Sequence, residues 1–133
     1  MEFRMLGPLD VLDAGRRVPL GGSKQRALLA VLLLHANEVV SVDRLVDELW
    51  GDRPPGSAGK LVQGYVSALR RLLAAGGGRD GPLETQAPGY ALRVGPDELD
   101  RFVFERRAAE ARAADGQELA ARGLRAALAL WRG

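Results

Sequence analysis

The residues of this chain whose types and spacing could do chemistry lie in one segment, KLVQGYVSALRRLL, Lys60 to Leu73. On a helix, residues three and four apart share a face. Val62, Val66, Leu69 and Leu73 follow that spacing and predict a buried stripe. Opposite them fall Lys60, Gln63, Gly64, Ser67, Arg70 and Arg71, a face without a carboxylate. Solvated helix faces ordinarily mix signs, because Glu–Lys and Glu–Arg pairs support helicity and solubility. A face of one sign, with an amide and a hydroxyl, suits an anionic polymer instead. Arginine and lysine bind phosphate, while glutamine and serine reach the donors and acceptors of base edges. Gly64 is the odd member, since a mid-helix glycine costs about 1 kcal/mol relative to alanine. It either lets a nucleic-acid backbone come close or is merely tolerated; both readings stay open.

Other chemistries lack their parts. The chain has no cysteine and a single histidine, His35, read as a packed or capping residue near the end of an apolar helix. Gly76-Gly77-Gly78-Arg79 follows a helix and lacks the strand–loop–helix context and GK[ST] ending of a phosphate-binding loop. No nucleophile–base pair, metal cluster or nucleotide loop can be assembled, so neither an enzyme nor a metal or other cofactor is expected. The N-terminus MEFRMLGPLDVL has no basic region followed by an apolar run. The longest apolar run, Ala27 to Leu34, is far short of the roughly 20 residues a membrane span needs. A cytoplasmic protein without membrane contact is expected.

Length and composition allow one full domain and part of another: 133 residues, 47% hydrophobic, 27% charged and 5% aromatic, with Leu, Val and Ala left to build the core. The net charge of +2 divides unevenly. Residues 1–52 carry −2, residues 53–96 carry +4 and residues 97–133 carry 0. The excess positive charge thus surrounds Lys60 to Leu73, where it would steer a polyanion even though the whole chain is nearly neutral.

The flanking segments supply the elements that must position this face. Phe3 to Leu20 alternates apolar and polar residues between turn signals at Gly7-Pro8 and Asp13-Ala14-Gly15, which predicts a small antiparallel sheet. Ser23 is the expected N-cap of a buried helix over Lys24 to Asn37. Ser41 is the expected cap of a second helix, Val42 to Trp50. Asp52-Arg53-Pro54-Pro55-Gly56 forms an exposed loop, because prolines forbid helix continuation. The third helix begins after Ser57 and is expected to stop at Gly76-Gly77-Gly78. A hairpin follows, with strands Leu83 to Gln86 and Tyr90 to Val94. Tyr90 is expected to pack within it. Arg101 to Ala114 and Gln117 to Trp131 then read as two amphipathic helices joined at Ala114-Asp115-Gly116, the hairpin unit of a helical repeat.

Strands, three helices and a hairpin, in that order, make an α+β winged helix whose third helix enters the major groove and whose hairpin is the wing. With the residues in view, the chain resembles the Streptomyces antibiotic regulatory proteins, in which an OmpR-type winged helix precedes a bacterial transcriptional activator domain. The resemblance runs the whole length. It rests on FRMLGPLDV (3–11), SKQRALLAVLLLHANEVVS (23–41), DRLVDELWGDRPP (43–55), YVSALRRLL (65–73), TQAPGYAL (85–92), LDRFVFE (99–105) and ALALWRG (127–133).

The resemblance implies a DNA-binding domain over residues 1–96 and the incomplete start of a TPR-like activator domain over 97–133. It implies binding to direct repeats in double-stranded DNA near promoters, as tandem head-to-tail pairs, with recruitment of RNA polymerase to antibiotic-cluster genes. Asp52 and Arg53 would then be candidate polymerase contacts, beside the plainer reading of a connector. OmpR-type wings often carry a basic residue just before the Gly-Tyr turn, where this chain has Gln86-Ala87-Pro88. That departure leaves Thr85 and Arg93 as the wing's candidate phosphate contacts. The alternative is a protein-interaction module whose winged helix no longer binds DNA and whose residues 100–133 dock a partner.

Overall fold

A computed structural model describes residues 1–74, 81–113 and 117–131. The expected helix stop at Gly76-Gly77-Gly78 and the link Ala114-Asp115-Gly116 lie outside the described residues. The chain folds into two compact units, residues 18–94 and residues 1–17 with 95–133. The N-terminal strands thus group with the C-terminal helices, whereas the sequence reading grouped them with the three central helices.

In residues 18–94, α1 (Ser23–Leu34), α2 (Val42–Trp50) and α3 (Ala58–Leu73) surround a leucine core. Leu28, Leu29, Leu32, Leu33, Leu45, Val62 and Leu69 are each 0% exposed. Side chains of this size stabilise by roughly 1.5–3 kcal/mol each when fully buried, so this cluster is the main cohesive term. Helix α2 matches its expected bounds, and Ser41 Oγ accepts from Arg44 N at 3.1 Å as a side-chain cap. The cap expected at Ser23 does not form. Gly22 occupies the N-cap position and Ser23 is already helical, while Gln25 Nε2 donates to Leu20 O at 2.9 Å and ties down the entering chain.

Helix α1 stops at Leu34, three residues before its expected end, because Asn37 is committed elsewhere. Asn37 takes φ +67°, and its N–H donates to Leu92 O at 2.8 Å. Its side-chain amide donates to Val94 O at 3.1 Å and accepts from Val94 N at 2.9 Å. A side chain that replaces both halves of a backbone ladder rung ends the helix more firmly than composition would suggest.

The hairpin strands are β5 (Leu83–Gln86) and β6 (Gly89–Leu92), so β6 ends two residues earlier than expected. Val40 and the capping Ser41 form a further strand, β4 (Val40–Ser41), which pairs antiparallel with β6 and completes a sheet of order β4-β6-β5. Gly89 makes this pairing feasible. A Cβ there would lie 1.8 Å from Val40 O and 2.7 Å from Ser41 Cα, both backbone atoms that cannot swing aside.

In the other unit, β1 (Glu2–Arg4), β2 (Asp10–Asp13) and β3 (Arg16–Arg17) form the expected antiparallel sheet, in order β1-β2-β3. Ala14 and Gly15, at φ +51° and +81°, make the two-residue turn between β2 and β3. Helices α4 (Asp100–Ala113) and α5 (Gln117–Leu128) follow. They pack closely where a Cβ on Gly123 would meet Ala111 Cβ at 2.6 Å. Strand β1 is bound to the start of α4: Phe3 N donates to Glu98 O at 2.6 Å. The buried Asp100 carboxylate accepts from Met5 N at 2.9 Å and Leu6 N at 3.1 Å.

Two outcomes test these joints. Gly89→Ala should destabilise the protein by about 3 kcal/mol or more, because the β4–β6 pairing must break or the turn must move. Urea unfolding that leaves the midpoint within experimental error would contradict the close approach. Asp100→Ala should cost about 1–3 kcal/mol by leaving the buried Leu6 amide and the part-buried Met5 amide unpaired. The same titration, read alongside amide exchange at Met5 and Leu6, checks it.

Candidate nucleic-acid interface

Helix α3 begins with Ala58 N donating to Pro55 O and Leu61 N donating to Ser57 O, each at 3.0 Å. Val62, Val66, Leu69 and Leu73, between 0% and 2% exposed, form the stripe predicted from spacing and set the helix's rotation. Arg70 and Arg71 fall in the last turn, where positive charge complements the helix dipole.

Of the eight residues expected to meet DNA, five are exposed on α3 and a sixth, Thr85, is exposed on β5. Lys60, Gln63, Gly64, Ser67 and Arg71 are exposed along one side of α3. No ion pair involves Lys60 or Arg71 among the described residues. Gly59, in the first turn of α3, is exposed as well, and a Cβ on either Gly59 or Gly64 would meet nothing within 4 Å. Packing inside the protein therefore gives no reason for either glycine.

Arg70, Thr85 and Arg93 turn to internal partners. Arg70 is half-buried; its Nε donates to Leu83 O at 3.2 Å, its Nη2 donates to Thr85 Oγ1, and its guanidinium lies 5.9 Å from the centroid of the Tyr90 ring. The expectation that Arg70 points outward with Arg71 is corrected here. Adjacent helical residues are about 100° apart, and that rotation brings Arg70 against β5. Thr85 accepts from Arg70. Arg93 Nε donates to Glu84 Oε2 at 3.1 Å and its Nη1 donates to Asn37 O at 2.7 Å, so Arg93 braces the hairpin toward the end of α1. Tyr90, 9% exposed, packs as expected.

Around the helix ends, several contacts escaped the sequence reading. Trp50 stacks on Tyr65, with ring centroids 6.5 Å apart and an interplanar angle of 26°. Lys24 Nζ sits 5.4 Å from the Trp50 ring centroid and donates to Leu49 O, capping the C-terminus of α2. Asn37 carried a usable signal, since asparagine just past a helix is a common left-handed terminator. Lys24 carried none, because its acceptor lies 25 residues away. His35 takes the C-cap position of α1 and lies 3.1 Å from Arg44 Nη2 through Nε2. Asp52 and Arg53 are exposed in the α2–α3 loop. Among the described residues, no helix is long and apolar enough to cross a membrane.

Known proteins share both this pattern and this architecture. The family model described as "Transcriptional regulatory protein, C terminal" matches residues 15–92. The transcriptional regulatory protein EmbR of Mycobacterium tuberculosis is 45% identical over 139 residues, which span all of this chain and 35% of EmbR. The regulatory protein DnrI of Streptomyces peucetius is 40% identical over 142 residues, spanning all of this chain and 52% of DnrI. The chain thus spans about a third to a half of these relatives' length. The solved structure of M. tuberculosis EmbR in complex with a low-affinity phosphopeptide superposes with a TM-score of 0.92 at 39% identity, covering 99% of this chain and 36% of that one. The DNA-binding domain of E. coli CadC gives a TM-score of 0.55 at 26% identity, covering 65% of this chain and 79% of that one. With the α3 face, the hairpin behind it and these relatives together, the chain belongs to the OmpR-type family of transcriptional regulators, among the Streptomyces antibiotic regulatory proteins.

Proposed function

We propose that this chain is the DNA-binding part of a transcriptional activator, with α3 seated in the major groove of double-stranded DNA. The observation that carries this reading is the exposed face of Lys60, Gln63, Gly64, Ser67 and Arg71, which holds two unpaired cations and no carboxylate among the described residues. Lys60 and Arg71 hold phosphates, Gln63 and Ser67 face base edges, and Gly64 lets the backbone or groove wall come close. The functional division falls near residue 96, with residues 97–133 opening a TPR-like activator domain.

By the family resemblance, the targets are direct repeats at promoters of secondary-metabolite genes, antibiotic genes among them. Two copies sit there head to tail, and Asp52 and Arg53 on the exposed α2–α3 loop meet RNA polymerase. The protein acts in the cytoplasm.

Gel-shift titration of the neighbouring promoter at two salt concentrations tests the reading. Binding should weaken steeply with salt, and Arg71→Ala should lower the slope of log K against log salt by about 0.9, the loss of one phosphate contact. Salt-insensitive binding, or an unaltered slope in Arg71→Ala, would sink it. Gly64→Ala should act with opposite signs on two measurements. Helix propensity raises stability by about 1 kcal/mol, because the new methyl enters open space. The same methyl stands where DNA must approach, so affinity falls. A variant that is more stable and binds DNA as well as wild type would remove Gly64 from the interface.

A further inference from the structure

We propose that Arg70 is a positioning residue, a brace that sets the wing's angle on α3, and that Arg71 alone of the pair meets phosphate. The inference rests on the DNA-binding reading above. Its first support is the shape of the contact. Leu83 O and Thr85 Oγ1 lie two residues apart on β5, and Arg70 reaches both with adjacent N–H groups of one planar guanidinium. Such a fork fixes a direction as well as a distance, which a lysine ammonium cannot do.

Its second support is the ring beneath. Thr85 and Tyr90 are direct cross-strand partners, so the guanidinium touches β5 through hydrogen bonds and β6 through the buried Tyr90 ring. One side chain therefore holds both strands of the hairpin. Its third support is the space alongside. A groove of about 590 Å³, lined by Arg70, Ala74, Pro82, Leu83, Thr85 and Arg93 among others, runs between the end of α3 and the hairpin. The Arg70 bridge lies along this groove and joins its two sides. An arginine already donating to two protein acceptors, and set over a buried ring, is poorly placed to meet a phosphate on the outer face. Arg71 has no such partners among the described residues and is exposed.

Arg70→Lys, Arg70→Ala and Thr85→Val separate brace from phosphate contact. Amide hydrogen exchange on the DNA-free protein reads the brace directly. All three variants should speed exchange at Leu83–Gln86 and Gly89–Leu92, and Thr85→Val, which changes no charge, should do so as strongly as Arg70→Lys. In gel shifts, Arg70→Lys and Thr85→Val should each weaken binding about tenfold while leaving the salt slope at the wild-type value. A lysine that restores wild-type affinity, together with an Arg70→Ala slope reduced by about 0.9, would overturn the proposal and make Arg70 a phosphate ligand. Unaltered exchange in Thr85→Val would overturn it too. Should the wild-type protein fail to retard DNA, the functional reading falls, and the exchange measurement alone upholds or overturns the brace.

Discussion

The rotation of α3 about its own axis is the constraint on which the interface depends. Val62, Val66, Leu69 and Leu73 lie at helical spacing and are withdrawn from water almost completely. Any turn of the helix would expose some of them, at roughly 25 cal/mol for each Å² uncovered. The outer face is consequently directed by what lies behind it. Lys60, Gln63, Ser67 and Arg71 point away from the protein because four aliphatic side chains hold the opposite side in the core. Local chemistry at the surface thus inherits its geometry from apolar burial.

The hairpin is set by a different kind of force. Its strands are short and receive polar bridges from three directions. Strand β4 pairs with β6 where Gly89 has no side chain. Asn37 replaces a ladder rung at Val94, and Arg70 reaches across from α3. Val40, Leu83, Ala91 and Leu92 are buried and hold the sheet to the core, and the directional hydrogen bonds add the angle, to which burial is indifferent. Arg93 adds a fourth tie, to Asn37 O, so one asparagine collects contacts from the last residue of β6 and the two that follow it. Burial sets α3, burial and polar bridges together set the hairpin, and Arg70 joins the two.

The unit of residues 1–17 with 95–133 follows the same division of labour. Phe3, Val11 and Leu99 are fully buried, while the Asp100 carboxylate pins the chain leaving β1. Helix α5 leaves Leu124 and Leu128 exposed at 43% and 59%, and Trp131 beyond its end is 56% exposed, with its ring meeting Phe104 edge-on at 6.3 Å. Relatives of two to three times this length carry the same segment.

Read by itself, the amino-acid sequence determined most of the elements and the buried stripe of α3. The α3 stripe, the bounds of α2 with its Ser41 cap, the β5–β6 hairpin and the N-terminal sheet all follow from periodicity, capping and turn residues, which are local properties. It also determined the excess positive charge around Lys60 to Leu73. The tertiary structure alone decided who meets whom. Arg70 and Arg71 are the same residue type on consecutive positions, and only the arrival of Leu83 and Thr85 beside one of them gives the two different work. Strand β4, the early end of α1 at Asn37 and the joining of β1 to α4 depend likewise on partners 48 or more residues away, beyond the reach of any local pattern. Periodicity encodes the direction of burial; the partner of a polar side chain is a matter of which distant segment the fold delivers to it.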